Sequence, residues 1–270
     1  MNYHSDEWIT ERVREHYVEA KTLIPGEHIV GIFYQGSGNY GLDYEDSDVD
    51  TKCITTPTFK EIALARKPLS TTHVRENNEH IDMKDIRLYV QTFRKQNLNF
   101  LEILWTPYFF TNGYYSHIWF KLVSNRERIA RYYPYRAIKS MKGVALEKFH
   151  ALKHPYPSKV DIIQKYGYDG KQLSHLLRVE DFITKYVCGA PYSECLVSQR
   201  PDLLIELKEQ GAVDLQTAEA MAASSLSTIE ALCDEFEKSI DKDWYDKEID
   251  ALFDEVSYKI MKISVEMELE

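Results

Sequence analysis

The segment YQGSGNYGLDYEDSDVDTKCI, residues 34–54, decides how this chain is read. Just ahead of it and overlapping it, HIVGIFYQ (residues 28–35) is a nearly continuous apolar run with the length of one buried strand. A Gly36-Ser37 turn ends that run. After a short gap, Asp48-Val49-Asp50 opens an alternating run to Ile54 that predicts a second strand. Side chains in a strand point to opposite faces in turn, so Asp48 and Asp50 would share a face while Val49 enters the core. Two carboxylates so placed repel unless a positive charge sits between them. Hard oxygen donors at such spacing suit Mg²⁺, which takes one or two carboxylates and completes its shell with water or phosphate oxygens. A lone pair of this kind would more simply be a solvated strand face; the neighbouring glycines argue for more.

Glycine at Gly36 lets backbone approach a phosphate closely, and the exposed N–H groups and the Ser37 hydroxyl can donate to it. Gly38 and Gly41 extend the flexible stretch. A third carboxylate would complete a two-metal site. Asp82, in the middle of the strand pattern EHIDMKDI, is the first candidate, with His80 and Lys84 on its face by alternation; Glu79 and Asp85 are rivals. Asp85 stands just before the helical pattern IRLYVQTFRKQ and has the alternative role of capping it.

Outward from this segment, Ser5 is placed to cap a helix with apolar residues at Trp8, Ile9, Val13, Tyr17, Ala20 and Ile24, ended by Pro25-Gly26. Residues 57–66 read as a helix opening on Pro57. Beyond residue 126 the texture turns helical, over 126–153, 170–187, 200–210, 214–238 and 246–267, with a Pro- and Gly-bearing loop at 154–170. FLEILWTPYFF (residues 100–110) reads as core. The expected fold class is α+β: a small mixed β-sheet domain with flanking helices over 1–125, and an α-helical domain over 126–270.

The 270 residues are 44% hydrophobic and 28% charged, the balance of a folded soluble protein. The N-terminal residues lack the basic-then-apolar order of a secretory signal, and the greasiest window is interrupted by Glu102, Pro107, Asn112 and Gly113, which excludes a membrane span. Cys53, Cys188, Cys195 and Cys233 have no metal-site spacing and read as reduced thiols of a cytoplasmic protein. The net charge of −10 is unevenly spread: residues 126–159 carry nine Lys/Arg against two Glu, and residues 202–270 carry nineteen Asp/Glu against six Lys. Overall acidity argues against a dedicated non-specific nucleic-acid binder. In the basic window, Arg131, Arg136, Lys139, Lys142 and Lys148 interleave with Tyr132, Tyr133 and Tyr135, a pattern that could track single-stranded RNA or equally form the basic edge of a docked helix.

In YGYDGKQLSHLLRVEDFI (residues 166–183), Lys171, His175 and Arg178 fall at i, i+4 and i+7 of a helix, opposite Leu173, Leu176 and Leu177. Clustered cationic groups are unfavourable unless anions neutralise them; nucleotide phosphates would do so, with Arg178 binding in bidentate fashion. The alternative is Arg178 paired with Glu180 or Asp181.

Taken together, an apolar strand, a Gly-Ser turn, a DxD strand and a later single Asp resemble the DNA polymerase β-like nucleotidyltransferase superfamily. The blocks GSGNYGLDYEDSDVD, LYVQTFRKQNLNFLEILWTP and YGYDGKQLSHLLRVEDFI are similar to its branch of RNA-repair-pathway nucleotidyltransferases associated with RNA ligases; Asn99 and Val179 depart from that pattern. The resemblance implies a nucleotidyltransferase domain that moves a nucleotide from an NTP such as ATP to an acceptor hydroxyl, an RNA 3′ end first among them, releasing pyrophosphate. It implies Mg²⁺, or Mn²⁺, on Asp48 and Asp50, with Asp82 the third ligand and catalytic carboxylate. Gly36, Ser37, Lys171, His175 and Arg178 are the nucleotide-binding candidates, and an RNA ligase or other repair protein the candidate partner. A protein or small-molecule acceptor, and a non-catalytic nucleotide- or RNA-binding module, are the other readings.

Overall fold

Ser5 starts the first helix as its position predicts: in the computed structural model, which describes residues 3–269, its hydroxyl accepts from the Trp8 N–H at 3.2 Å. That helix, α1 (Asp6–Leu23), precedes five strands, β1 (Ile29–Gln35), β2 (Asp50–Thr55), β3 (Ser70–Val74), β4 (His80–Asp85) and β5 (Phe109–Thr111). They lie side by side in the order β3-β4-β2-β1-β5. Strands β2 and β4 run parallel and every other neighbouring pair is antiparallel, so the sheet is mixed and the fold α+β.

Strand β2 begins at Asp50, two residues later than the alternation predicts. Its partner β1 ends at Gln35, directly opposite Asp50, leaving Asp48 no strand to pair with. The Val49 N–H instead donates to the Glu79 carboxylate at 3.1 Å. Residues 57–66 form only the short α2 (Phe59–Ala63), held by a capping box between Thr58 and Glu61 and stopped where Ala65 takes a φ of 48°. Strand β4 passes straight into α3 (Ile86–Arg94), and Asp85 caps it by accepting from the Arg87 N–H at 2.8 Å. Then come α4 (Leu98–Leu101), α5 (Ser116–Ser124) and α6 (Arg126–Ala130).

One face of the sheet buries Ile32, Tyr34, Cys53, Ile81 and Met83 against Ile9, Val13 and Ala20 of α1. On the other face Phe33 lies 4.0 Å from the Trp119 ring of α5. This alternation, Ile32 and Tyr34 one way and Phe33 the other, is why β1 reads as continuously apolar: both its faces are covered.

The helices after residue 133 are α7 (Pro134–Ala151), α8 (Val160–Tyr166), α9 (Gly170–Val187), α10 (Tyr192–Leu196), α11 (Pro201–Glu206) and α12 (Leu215–Ser239). The helix expected over 126–153 is broken in two because Pro134, which has no N–H to donate, starts α7. The expected loop 154–170 contains α8, which ends at Gly167 with a φ of 80°. Helices α7, α9 and α12 pack on one another through α9's Leu173, Leu176, Leu177 and Ile183. Gly170 is required there, since a Cβ would collide with the Leu207 carbonyl oxygen.

The last helix, α13 (Lys247–Leu269), returns to the sheet-bearing unit. That unit comprises the chain up to Asn39, Asp43–Tyr133 and the segment from Tyr245; the helical unit comprises Tyr40–Leu42 and Pro134–Trp244. The division differs from the 1–125 and 126–270 expectation, whose outermost residues 1, 2 and 270 lie outside the described residues. The physical reason is that α13 packs Phe253 against Phe93 of α3, ring centres 6.0 Å apart, and its Asp250 accepts from Arg94 at 2.9 Å. Among the described residues no helix is long and apolar enough to cross a membrane, and all four cysteines are free thiols.

Candidate active site

The parallel register sets Lys52 opposite Asp82, so Asp50 and Lys52 of β2 share a sheet face with His80, Asp82 and Lys84 of β4. Asp50 Oδ1 accepts from the His80 N–H at 2.8 Å and lies 3.0 Å from His80 Nδ1. Burial raises the Asp50 pKa, the nearby charge of Asp48 raises it further, and the contacts with His80 offset this only in part. Asp48 is exposed, just before the strand. Asp82 is held by Lys52, whose Nζ is 2.6 Å from Oδ2. The ammonium groups of Lys52 and Lys84 both lie over the Phe100 ring, at 4.5 and 4.1 Å from its centre. Burial lowers the Lys84 pKa, the charge of Lys52 adds to that, and Asp82 opposes it.

Asp48 and Asp50 are therefore an electrostatically coupled pair, and Asp82 shares the Asp50 face but is engaged by a lysine. Among the described residues, no three His, Cys, Asp or Glu side chains gather into a group that could hold a metal. Both rivals of Asp82 have other work. Glu79 is buried with His16 Nε2 at 2.9 Å and with Arg12 and Arg75. Burial alone would raise its pKa, but the hydrogen bonds from His16, Arg12 and the Val49 N–H outweigh it and hold the carboxyl well below the usual range. Asp85 caps α3 and pairs with Arg87 Nη2 at 2.6 Å. Two carboxylates and exogenous oxygens suffice for a Mg²⁺ shell, and the repulsion between Asp48 and Asp50 is what a divalent cation relieves, so this pair fits such an ion. Asp82 could join only by leaving Lys52.

The Gly-Ser turn is shaped from beneath by Tyr34. A Cβ on Gly36 would collide with the Tyr34 phenol, whose oxygen accepts from the Gly38 N–H at 3.1 Å. Ser37 Oγ is 3.2 Å from Ser47 Oγ, and the latter accepts from the Tyr44 N–H at 2.9 Å. This serine pair closes the loop between the two strands and delivers Asp48 and Asp50 beside the turn. Sequence reasoning passed over Ser47, although its place directly before the DxD was the available signal.

Lys171, His175 and Arg178 lie on α9, in the helical unit. Burial, and after it the charges of Arg178, Lys148, Lys171 and Lys208, holds the His175 pKa well below 6.5. Its ring is partly accessible to water yet enclosed by protein. Arg178 is buried, and its guanidinium carbon sits 4.1 Å from the centre of the Tyr40 ring. The pairing with Glu180 or Asp181 considered from sequence does not form: Arg200 takes Asp181 at 2.8 Å and Glu180 at 3.6 Å. A buried guanidinium without a counter-charge costs on the order of several kcal/mol, which stacking on one aromatic ring offsets only in part. The basic window is largely engaged within the fold: Lys139 pairs with Glu237 at 2.7 Å, Lys142 with Asp234 at 3.1 Å and Lys153 with Glu219 at 2.6 Å. Tyr168 is fully buried and donates to the Val213 carbonyl, so it packs rather than presenting a face to a base.

No protein-family model and no curated protein matches the chain. A solved structure from Exiguobacterium sibiricum 255-15, described as a nucleotidyltransferase-like protein, aligns with 94% of this chain and 89% of its own at 13% identity. Its TM-score is 0.30, too low to lend weight to any functional reading.

Proposed function

We propose that the sheet-bearing unit is a nucleotidyltransferase centre that moves a nucleoside monophosphate from an NTP to an acceptor hydroxyl, with release of pyrophosphate. The observation that carries this reading is the Asp48–Asp50 pair in the loop end of the β1–β2 hairpin, beside the Gly36-Ser37 turn, where burial and then the charge of Asp48 raise the pKa of Asp50. Like charges kept together at a strand start have no structural benefit of their own; they make sense as a receptor for a cation. Asp48 and Asp50 would hold Mg²⁺ or Mn²⁺. When bound, such an ion neutralises phosphate oxygens and lowers the pKa of a hydroxyl it ligates. The Ser37 hydroxyl and the N–H groups of the turn are donors for the β- and γ-phosphates. Asp82 would accept the proton of the attacking hydroxyl once Lys52 releases it, and the freed Lys52 ammonium would then be a counter-charge for phosphate. Most of the rate enhancement would come from positioning and charge neutralisation.

The resemblance of the three sequence blocks supports an RNA 3′ end as acceptor. The ion pairs of Lys139, Lys142 and Lys153 favour a second reading, a protein or small-molecule hydroxyl, because they occupy much of the cationic edge that RNA would follow. Incubation with labelled NTPs and total RNA, and separately with RNA-free extract, distinguishes the two by which fraction carries label. Pyrophosphate release should fall at least ~100-fold in Asp48→Ala and in Asp50→Ala with the fold retained. Full metal-dependent turnover in either variant would overturn the assignment.

A further inference from the structure

Arg178 has the profile of an anion receptor in search of its ligand. The residue is only 8% exposed, yet Nε and Nη1 have no hydrogen-bond partner. Among the described residues neither Arg178 nor Lys171 forms an ion pair, the neighbouring acids Glu180 and Asp181 being held by Arg200. Tyr40 covers the guanidinium with its ring at 4.1 Å. His175 and Lys171 stand on the same face of α9, one and two turns away. Lys208, itself almost fully buried, directs its ammonium to the Leu42 carbonyl, two residues beyond Tyr40. Lys148 contributes charge to the same locality, although Glu147 pairs with it at 2.8 Å. All of these residues belong to the helical unit.

Buried donors left unpaired are rare in folded proteins and usually mark a missing partner. That partner must be anionic, able to accept at two separate edges of the guanidinium, and more than singly charged. A monocarboxylate would answer Arg178 but leave Lys171, two turns along the same face, uncompensated; a chain of phosphates answers both. We infer that this cluster is a polyphosphate-binding site, with Arg178 its anchor, Tyr40 the surface that orients the guanidinium, and Lys171 its outer contact. Whether a nucleoside carries the polyphosphate or it is inorganic, the recognised chemistry is the same. This site goes beyond the nucleotidyl-transfer reading: it lies within the helical unit, and its footing is the unpaired nitrogens of Arg178 rather than the carboxylates, so either can fail alone.

The test is calorimetric titration of sodium tripolyphosphate, and of ATP in parallel, into the full chain in EDTA. Wild type should bind tripolyphosphate saturably, Arg178→Met at least tenfold more weakly, and Lys171→Gln several-fold more weakly. Asp50→Ala should bind it as wild type does. Arg178→Met should also melt higher than wild type in the absence of anion, since an apolar side chain of similar length replaces an uncompensated charge; an arginine that merely packs would give the opposite shift. Tighter binding of ATP than of tripolyphosphate assigns the site to a nucleotide, and equal binding assigns it to polyphosphate itself. No saturable binding to wild type, or wild-type affinity in Arg178→Met, overturns the site. If that happens while Asp50→Ala still loses turnover, only this inference falls.

Discussion

Two forces raise the pKa of Asp50, partial burial first and then the charge of the neighbouring Asp48. A carboxyl whose pKa is raised on folding contributes stability below its unfolded value of 3.8, and that contribution is lost as pH rises through the folded value. At neutral pH the charged form is therefore a net cost. Asp50→Asn keeps an oxygen for the His80 N–H and removes the repulsion, so thermal unfolding at pH 7 should show a gain of up to ~0.5 kcal/mol, small because water screens the partly exposed pair. The same variant should lose nucleotidyl transfer, the exchange of stability for function expected of a catalytic group. A loss of stability would show that the carboxylate is structural. His175 gives the opposite sign. Its pKa is held below 6.5 by burial and by the charges of Arg178, Lys148, Lys171 and Lys208. The unfolded chain thus takes up the proton first as pH falls, and stability declines from about pH 6.5 downward while staying level above it. Denaturant titrations at pH 5 and pH 7 should differ less in His175→Gln than in wild type. An unchanged difference would show that another group sets the acid response.

At the scale of elements, the Gly-Ser turn is held by strand packing as much as by its own backbone. The Tyr34 phenol fills the space beside Gly36 and accepts from the Gly38 N–H. Gly36→Ala would push its methyl into that ring and dislodge the turn, costing about 1–3 kcal/mol as an overpacking change. Tyr34→Phe should lose only the hydrogen bond, about 1 kcal/mol; comparing unfolding midpoints checks the order of the two. The β1–turn–β2 unit was legible in sequence because its signals are local: an apolar run, glycines, then alternation. Strand β3 was not, since Ser70–Val74 is exposed at nearly every position and carries no apolar alternation. Strand β5 is three residues that begin inside the aromatic run read simply as core, at Phe109 and Phe110. The break before α7 had a visible cause in Pro134, yet the apolar period on either side of it masked the gap. Within the site, the shared face of His80, Asp82 and Lys84 followed from alternation alone. The Lys52–Asp82 pair did not, because it depends on the register of two parallel strands, set by tertiary packing. Arg178 on Tyr40 is likewise a long-range contact that no spacing rule anticipates.

On the scale of the whole molecule, the chain leaves its sheet-bearing unit and comes back to it with α13, and this order has a measurable consequence. Phe253 is fully buried among Phe93 at 6.0 Å and Tyr132 at 5.4 Å, and Arg94 lies over its ring at 5.7 Å. These neighbours come from α3 and from the segment just before α7, so α13 closes the sheet-bearing unit from a distance in sequence of well over a hundred residues. Truncating such a ring removes its transfer free energy and leaves a cavity, about 3–5 kcal/mol in total. Were α13 simply the last helix of a C-terminal bundle, as its sequence position suggests, Phe253→Ala would loosen the other long helices of that bundle. The observed packing predicts otherwise: hydrogen exchange should accelerate first in α3, β1 and α13. A matched Ile229→Ala substitution in α12, also fully buried, should act first on α7 and α9, the helices it packs against. If both variants accelerate the same amides to the same degree, the division of the chain into these two units is wrong, and α13 would have to be returned to the helical unit.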